Sequence, residues 1–318
     1  MKRKDNLFDK ICSFENIHSA YFKARKGKRF KKDILLFNYN LEANLINLQK
    51  ELKTEKYVHG GYKEFIVQDS KKRKIRAPCF RDRVVHHALC NVIEPIFEKT
   101  FIFDSYACRK KKGTHRALKR LKAWLKTAEG GYCLKCDISK YFDSIDQTIL
   151  FNLIQKKIKD EKAIRLIEKI ICSFNKEIKI GIPIGNLTSQ LFANIFLNQL
   201  DQFIKRELKQ KHFIRYMDDF LILGGKRELQ CFKKKISDYL RLNLGLELHP
   251  RKADVFPLFK GIDFLGYVAF KNNVLLRKNT VKRFLKKTKK TERKEKINAW
   301  FAYARPADAF GLTRSLVC

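Results

Sequence analysis

Two apolar runs joined by a short polar turn stand in the second half of the chain. The segment FIRYMDDFLILGG, residues 213–225, places strand-forming residues on both sides of Asp218 and Asp219. This pattern predicts a β-hairpin with the two aspartates at its tip. Adjacent ionised carboxylates repel each other, so a structured turn that holds both favours a bound cation such as Mg²⁺ or Mn²⁺. A solvated Asp-Asp turn is the alternative.

A second strand carries another acidic residue. The segment YCLKCDISKYFD, residues 132–143, begins with an alternating pattern that puts Lys135 and Asp137 on one face. Phosphoryl transfer with two metal ions needs carboxylates from separate strands, which hold the ions about 3.5 to 4 Å apart. We therefore predict that Asp137 and Asp218 bridge two ions, with Asp219 beside them. A turn acceptor at a strand end is the alternative for Asp137.

Helical periodicity accounts for much of the remaining chain. It predicts amphipathic helices near residues 15–26 and 41–53 and a long helix from about Thr188. In the first third we also expect a strand in YKEFIVQD, a basic turn in KKRKIRAP and a helix from Asp82. Residues 275–318 predict basic helices, and no repeats or low-complexity linkers occur.

The chain is strongly basic. It contains 70 Lys and Arg residues against 33 Asp and Glu residues, a formal net charge of +37. Such a charge requires a polyanionic partner or a strongly hydrated surface, and nucleic acid is the obvious partner. The basic residues form clusters at Lys23–Lys32, Lys71–Arg76, Arg109–Arg120 and Lys282–Lys296. A duplex contacted from several sides would need such clusters, although many single lysines only solvate helix faces.

The composition gives no sign of a membrane segment. The first residues, MKRKDNLFDKICSF, lack the apolar stretch of a signal peptide, and no segment approaches the roughly 20 apolar residues of a membrane span. We therefore expect a cytoplasmic protein with no membrane partner. The nine cysteines are scattered among apolar residues, which predicts reduced thiols. Cys133 and Cys136 stand without a second pair at zinc spacing.

The acidic segments occur in the order found in a known family. With DISKYFD at 137–143 and YMDD at 216–219, the chain resembles the palm domain of reverse transcriptases. The resemblance implies an α+β right-hand polymerase fold with an N-terminal extension and fingers at 1–125, a palm at 126–272 and a short helical thumb at 273–318. It also implies RNA-directed DNA polymerase activity with two Mg²⁺ ions, or Mn²⁺, and deoxynucleoside triphosphate substrates.

The resemblance assigns roles to single residues. The implied metal ligands are Asp137, Asp218 and Asp219, with Ile138 contacting both metal and nucleotide. Lys252, in LGLELHPRKADVF, matches a catalytic lysine that can protonate the pyrophosphate leaving group, and a solvated loop lysine is the alternative. The primer grip it implies comprises Phe264, Leu265, Gly266 and Tyr267.

The nucleotide pocket is expected to include an aromatic residue and a basic residue. Phe142 lies five residues after Asp137, where the family has its steric gate. A ring against C2′ excludes a ribose hydroxyl, so the product should be DNA, unless Phe142 is a plain core aromatic. A basic residue of the fingers should reach the β- and γ-phosphates, and of the candidates Arg73 is favoured over Lys74.

The segment GIPIGNLTSQ, residues 181–190, resembles the family's third motif, and one departure in it indicates a subfamily. Most bacterial relatives carry Gln in a P-Q-G pattern, whereas here Pro183 is followed by Ile184 and Gly185. The run IGNLTSQ, which ends at Gln190, resembles the reverse transcriptases of diversity-generating retroelements, within the group II intron-like bacterial lineage. FRDRVVHHAL and SYACRKKKGTHRAL fit the same group.

This second resemblance implies error-prone copying. Gln in P-Q-G relatives can hydrogen-bond around the nucleotide, but Ile184 can only restrict shape, which is worth about 1 to 3 kcal/mol. Gly185 permits close backbone approach, and Gln190 should orient the helix or the template strand. The group copies a structured template RNA into cDNA with errors opposite adenine, which diversifies a target gene. It usually acts with a small basic accessory variability protein.

Three other functions compete with this interpretation. A phage-defence reverse transcriptase would share the aspartates but would usually carry extra helical domains. An intron maturase would need a splicing domain after the thumb, and 51 residues follow Tyr267. A non-enzymatic RNA-binding scaffold would predict a broken metal site, whereas Asp137, Asp218 and Asp219 are all present.

Overall fold

The computed structural model describes residues 3–68, 72–128, 130–175, 177–288 and 294–311. The described residues form two compact units. The first unit takes its residues from Met1–Ile102, Ser139–Gln202 and Tyr239–Glu247, and the second from Phe103–Ile138, Phe203–Asp238 and Leu248–Cys318. No helix within the described ranges is long and apolar enough to cross a membrane.

Thirteen α-helices and nine strands lie within the described residues. The helices are α1 (Phe8–Ile11), α2 (Phe14–Arg25), α3 (Lys32–Tyr39), α4 (Leu41–Lys53), α5 (Phe80–Glu98), α6 (Thr114–Thr127), α7 (Tyr141–Ser144), α8 (Gln147–Gln155), α9 (Glu161–Ile171), α10 (Leu187–Gln202), α11 (Lys226–Leu244), α12 (Lys278–Thr288) and α13 (Lys294–Ala304). The strands are β1 (Tyr62–Gln68), β2 (Lys72–Pro78), β3 (Tyr132–Cys136), β4 (Phe213–Tyr216), β5 (Asp219–Gly224), β6 (Asp254–Pro257), β7 (Ile262–Phe264), β8 (Tyr267–Ala269) and β9 (Val274–Leu276).

Most of the predicted helices are confirmed. The helices α2 and α4 match those expected near 15–26 and 41–53, and α10 matches the long helix expected from Thr188. The helix expected from Asp82 is α5, which begins two residues earlier, at Phe80. The helices α12 and α13 agree with the basic helices expected in 275–318, of which residues 289–293 and 312–318 lie outside the described part. The boundaries expected between fingers, palm and thumb stay predictions.

The prediction of a basic turn in KKRKIRAP was wrong. Residues Lys72–Pro78 form β2, which pairs antiparallel with β1. Lys71, the first residue of the expected turn, lies outside the described residues. The high proportion of lysine and arginine masked the strand, because on an exposed two-stranded hairpin these side chains remain solvated while the backbone completes its ladder.

Buried helices form the centre of the first unit. α10 carries apolar or small residues on every face and is buried along most of its length. It packs against α5, and α2 packs against α5 from another side. Within α2, Ile17, Ala20 and Tyr21 occupy the buried face. Ser13 caps the helix by accepting a hydrogen bond from the backbone N–H of Asn16 at 3.2 Å.

A buried carboxylate fixes the chain that leads into β1. Asp82, on α5, is fully buried. Its carboxylate accepts hydrogen bonds from the Tyr57 hydroxyl and from the backbone N–H of Gly60, both at 2.8 Å. Burial and the neighbouring Asp82 charge raise the pKa of Tyr57 well above its usual value, so this phenol remains a donor. The carboxylate is thus satisfied, and it anchors the β1–β2 hairpin at its base.

The second unit contains two antiparallel sheets. One has the strand order β4-β5-β3-β6 and the other has the order β7-β8-β9. The helix α6 buries Leu118, Leu121 and Leu125 in a common core with Leu221 of β5 and Phe264 of β7. The alternation seen in the sequence thus gives β3 a central position, with partners on both edges.

A tight turn joins β7 to β8. Its central residues, Leu265 and Gly266, both have positive φ, at 55° and 91°, and the flanking Phe264 and Tyr267 form the closing pair. The backbone N–H of Arg277 donates to the carbonyl of Gly266 at 2.9 Å. A Cβ atom at Gly266 would lie 2.0 Å from the hydroxyl oxygen of Tyr303 on α13, so only glycine fits beneath that phenol.

We predict that Gly266→Ala destabilises the protein by about 1 to 3 kcal/mol, because it adds both backbone strain and a steric clash. Thermal unfolding followed by circular dichroism measures the change. Gly225→Ala is the matched control, since a Cβ atom added at Gly225 would meet open space and its φ is not positive. Equal unfolding midpoints for the two variants would contradict the packing of Tyr303 on this turn.

Candidate active site

The sheet register brings two aspartates to the same end of neighbouring strands. β3 ends at Cys136, which pairs with Phe220 of β5. Continuing this register by one residue sets Asp137 opposite Asp219, and opposed residues of an antiparallel pair share a face. Lys135 lies two residues before Asp137 on β3 and therefore faces the same way.

The predicted hairpin is present, but its tip lies one residue earlier than expected. The turn consists of Met217 and Asp218, and Asp219 is the first residue of β5. Met217 adopts a left-handed conformation with φ 59°. The buried guanidinium of Arg215 donates a hydrogen bond to the Met217 carbonyl at 3.0 Å, which holds this conformation in place. The side-chain bond from Arg215 decides the position of the tip, and strand periodicity does not reveal it.

The acidic residues interact unfavourably with one another. Burial, together with the nearby carboxylates of Asp137 and Asp218, raises the pKa of Asp219 to about 7, although Lys135 acts in the opposite direction. The Oδ1 atom of Asp219 is buried and has no hydrogen-bond partner among the described residues. A carboxylate in this position is stabilised when a cation approaches its buried oxygen.

Basic side chains partly compensate these charges. The ammonium of Lys252 lies 2.5 Å from Oδ2 of Asp137. Lys135 donates a hydrogen bond to the backbone carbonyl of Asp263, whose carboxylate pairs with Arg277. Lys252, expected from the family resemblance, therefore lies at the acidic site. The sequence pattern had placed Lys135 beside Asp137 without indicating its electrostatic role.

The carboxylate oxygens of the acidic group are of the kind that binds Mg²⁺. Within the described ranges no three His, Cys, Asp or Glu side chains gather closely enough to hold a metal ion by themselves. Mg²⁺, however, is usually bound by one or two carboxylates plus water and substrate phosphates. Hard carboxylate oxygens at two strand ends, one of them buried and without a hydrogen-bond partner in the described part of the chain, meet this requirement. Asp137, Asp218 and Asp219 are the residues that would hold the ion.

Ile138 extends β3 beyond its last ladder residue. The backbone N–H of His249 donates to Asp137 O at 2.7 Å, and the N–H of Ser139 donates to Glu247 O at 2.9 Å. Ile138 itself forms an antiparallel bridge with Leu248. In this pattern the peptide groups of Ile138 point to the opposite edge of the strand. Its buried side chain belongs to the core, so any contact with metal or nucleotide would use its backbone carbonyl.

In the first unit, main-chain bonds tie together the segments expected to bind the nucleotide. The N–H of Ile182 donates to the carbonyl of Phe142 at 2.8 Å, and the N–H of Arg76 on β2 donates to the carbonyl of Ile184 at 3.1 Å. Gly185 has φ 112°, and a Cβ there would lie 2.8 Å from Cγ2 of Ile75. Phe142 is half-buried. The loop that carries Ile184 is therefore packed against β2 by its backbone.

The two basic residues predicted to bind phosphate lie on opposite faces of the β1–β2 hairpin. Lys74 forms an ion pair with Glu64 at 2.6 Å. Arg73 alternates with it and shares a face with Ile75, the side chain that contacts the Gly185 loop. Arg73 forms no ion pair with a side chain in the described ranges. The geometry of the hairpin thus favours Arg73 over Lys74.

The third motif contains a polar residue that sequence reasoning passed over. Gln190 lies in the first turn of α10 and is half-buried. Asn186, four residues earlier, is buried, and neither its Nδ2 nor its Oδ1 atom has a hydrogen-bond partner among the described residues. An amide in such a place costs stability. The position of Asn186 directly after Gly185 was the feature of the sequence that could have identified it.

The four residues expected to grip the primer form the tight β7–β8 turn. Phe264 and Tyr267 are fully buried, and the Tyr267 hydroxyl donates to the carbonyl of Tyr303 at 2.5 Å. These rings therefore support the turn from inside the core. The part of this motif available to a nucleic acid is the turn of Leu265 and Gly266.

The sequence matches a known protein family. The profile of the reverse transcriptase (RNA-dependent DNA polymerase) family matches residues 63–269. The chain belongs to this family. Reverse transcriptases generally depend on Mg²⁺.

The chain is also similar to individual proteins. It is 26% identical to Protein YkfC of Escherichia coli over 241 residues, which cover 63% of each chain. It is 24% identical to the group II intron-encoded protein LtrA of Lactococcus lactis over 323 residues, which cover 79% of this chain and 53% of LtrA. The chain thus spans between half and two thirds of the length of these relatives. The predicted resemblance to the group II intron lineage is confirmed.

Solved telomerase structures share the fold. Apo telomerase from Candida tropicalis superimposes with a TM-score of 0.50 at 16% identity, covering 73% of this chain and 59% of that one. Telomerase from Candida albicans, determined with a fragment of telomeric RNA, gives a TM-score of 0.51 at 12% identity, covering 74% and 51%. The α+β right-hand polymerase fold expected from the sequence is confirmed.

We predict that Asp137→Asn or Asp218→Asn lowers the rate of DNA synthesis by several orders of magnitude, because each removes a charged ligand. Primer extension on an RNA template with Mg²⁺ measures the rate. For Asp218→Asn the unfolding midpoint should not fall, since this change relieves repulsion of Asp219. Asp9→Asn, at an exposed position on α1, is the control. Extension near the parent rate by either variant would show that the site is elsewhere.

Proposed function

We propose that this polymerase copies an RNA template into DNA by two-metal nucleotidyl transfer, with Mg²⁺ as the ion and deoxynucleoside triphosphates as substrates. The observation that carries this mechanism is the pair of facing strand ends, Asp137 and Asp219, with a buried oxygen that lacks a partner among the described residues. When bound, the ions would supply a more acidic primer hydroxyl and compensation for the phosphate charge.

The residues around the acids have separate roles in this proposal. Lys252 lies 2.5 Å from Asp137, close enough to the metal ligands to protonate the departing pyrophosphate. Lys135 offsets part of the negative charge near Asp219 before substrate arrives. Arg215 holds the turn that presents Asp218. Arg73 binds the triphosphate from the face of β2 that packs on the Gly185 loop.

The nature of the sugar is set at Phe142 in this proposal. Its backbone carbonyl is fixed by the N–H of Ile182 at 2.8 Å, and the preceding Tyr141 donates from its hydroxyl to Ala193 O at 2.5 Å. A ring held by such a backbone can exclude a 2′-hydroxyl by shape, since it cannot easily move away.

We further propose that the enzyme is error-prone at template adenines and makes mutagenised cDNA for a diversity-generating retroelement. Ile184 supports this assignment, because it puts a branched apolar group where P-Q-G relatives carry an amide. Its backbone is fixed by Arg76 and the adjacent Gly185 packs on Ile75, so the apolar side chain is held at this place. A structured template RNA and a small basic accessory variability protein complete the proposed system. The net charge of +37 suits such an RNA partner.

We predict that Phe142→Ala raises ribonucleotide incorporation relative to the parent, because it opens space beside C2′ of the sugar. Primer extension with matched ribo- and deoxynucleoside triphosphates gives the selectivity ratio. Phe256→Ala in β6 is a control for the loss of a partly buried ring away from Phe142 in the chain. Selectivity equal to that of the parent would place the gate at another residue.

We predict that Ile184→Gln lowers misincorporation, most visibly opposite template adenine. A restored hydrogen bond is worth about 0.5 to 1.5 kcal/mol, a few-fold to roughly tenfold in selectivity. The overall rate should also decline, since a polar group in an apolar pocket carries a desolvation cost. Sequencing of cDNA made on one adenine-containing RNA gives the error spectrum.

Ile184→Leu is the control for this test, because it keeps the site apolar and should keep the parent's errors. An unchanged spectrum for Ile184→Gln would separate infidelity from this position. A parent enzyme that copies adenine as accurately as the other bases would overturn the diversity-generating assignment and leave the polymerase mechanism standing. A phage-defence reverse transcriptase would then be the better assignment.

A further inference from the structure

The helix α2 exposes a row of aromatic rings. Phe14, His18 and Phe22 follow one another at spacings of four residues, so they lie along one side of the helix. All three are exposed, Phe14 by 37% and Phe22 by 45%. The Phe14 and His18 ring centroids are 6.0 Å apart with an interplanar angle of 10°, and those of His18 and Phe22 are 4.8 Å apart at 88°. The outer side of a surface helix is normally polar, so an exposed row of aromatic rings indicates a binding surface.

A dense basic segment continues the aromatic row. Residues 22–32, FKARKGKRFKK, contain seven Lys and Arg residues and no acidic residue. The Arg25 guanidinium lies 4.5 Å from the Phe22 ring centroid. Phe30 is 79% exposed, with the guanidinium of Arg29 5.2 Å from its ring centroid. Rings and cations thus alternate over the end of α2 and the loop to α3.

The nearby acidic residues do little to reduce this positive charge. Asp33, at the start of α3, forms an ion pair with Arg83 of α5. Glu15 lies at the first turn of α2, next to Phe14 and distant in sequence from the basic loop. The side of α2 that carries Ile17 and Tyr21 is buried, and the aromatic row and most of the basic segment are exposed, together with Glu15 and Ser19.

We propose that the α2 surface, made of Phe14, His18, Phe22 and residues 23–32, binds an unpaired stretch of RNA outside the polymerase site. Flat exposed rings stack on unpaired bases, and the interspersed cations neutralise the phosphates between them. A fully paired duplex keeps its bases stacked internally and offers no such contact. The inference deepens the proposed function, since it assigns single-stranded parts of a structured template RNA to a particular surface.

A binding experiment on the full chain tests this surface. The probe is a fluorescent single-stranded RNA of about 16 nucleotides without internal pairing, compared with the same strand annealed to its complement. The double variant Phe14→Ala/Phe22→Ala should bind the single strand about tenfold more weakly, with the duplex affinity unchanged. Phe259→Ala is the matched control, because Phe259 is 79% exposed and lies in the second unit. Both changes are at exposed positions, and circular dichroism verifies the fold.

The basic segment gives an independent readout. Lys28→Gln/Lys31→Gln should reduce the slope of log affinity against log salt by about 1.4 for the single-stranded probe, because about two fewer phosphates are neutralised. The aromatic double variant should leave this slope unchanged. Together the two variants separate stacking from charge.

Three results would overturn the proposal. The first is an aromatic double variant that binds single strands as tightly as Phe259→Ala does. The second is an equal loss of affinity for duplex, which would show a general defect. The third is unchanged RNA binding with lost binding to vesicles of anionic phospholipid, which would make the α2 surface a membrane contact.

Primer extension distinguishes this failure from a failure of the proposed function. On a short primed RNA template the aromatic double variant should extend at the parent's rate, because the α2 surface is outside the catalytic site. If the parent makes no DNA on any RNA template but the variants still lose single-strand binding, the proposed function is wrong and the proposal for the α2 surface is supported. If the parent is active and binding is unchanged, only the α2 surface fails.

Discussion

The candidate active site depends on the antiparallel register of β3 and β5. Because side chains alternate along a strand, shifting this pairing by one residue would turn Asp137 or Asp219 to the other face of the sheet. The register is fixed by the core on which the sheet packs, where Leu221 and Leu223 of β5 and Cys133 of β3 are buried with α6. Burial of apolar side chains therefore sets the position of carboxylates that repel each other, and the free energy of the core offsets their repulsion.

The repulsion among the clustered carboxylates explains the basic residues around them. Asp219 has a raised pKa because it is buried near Asp137 and Asp218, while Lys252, Lys135 and Arg277 pair with neighbouring oxygens. An apolar replacement of the acids would suit stability better, so a cluster of this kind is a candidate functional site. In the first unit, Asn186 is a second case, since a buried amide that finds no partner in the described part of the chain weakens the fold.

The sequence predicted the parts of the site that depend on period and order, and it failed where a single side chain decides the backbone. Asp137 at a strand end followed from alternation, and Asp218 and Asp219 followed from two apolar runs around a polar pair. The tip of the hairpin was displaced by one residue, because the bond from Arg215 to Met217 fixes a left-handed residue that no periodicity encodes. β2 was missed because a segment rich in lysine and arginine is typical of a loop. Its strand conformation depends on pairing with β1, which the segment's own sequence does not reveal.

In the first unit, the segments expected to bind the nucleotide are held by backbone contacts, and this leaves their side chains open to change. Ile182, Ile184 and Arg76 are joined to their neighbours through N–H and carbonyl groups, which any residue but proline can supply in full. Gly185 is the exception, because its positive φ and its contact with Ile75 admit no side chain. A loop fixed in this way can exchange an amide for an apolar group at position 184 while the fold is retained. A substitution at position 184 therefore has a small cost in stability, whereas a neutral residue in place of Asp137 or Asp219 would change the charge of the acidic group.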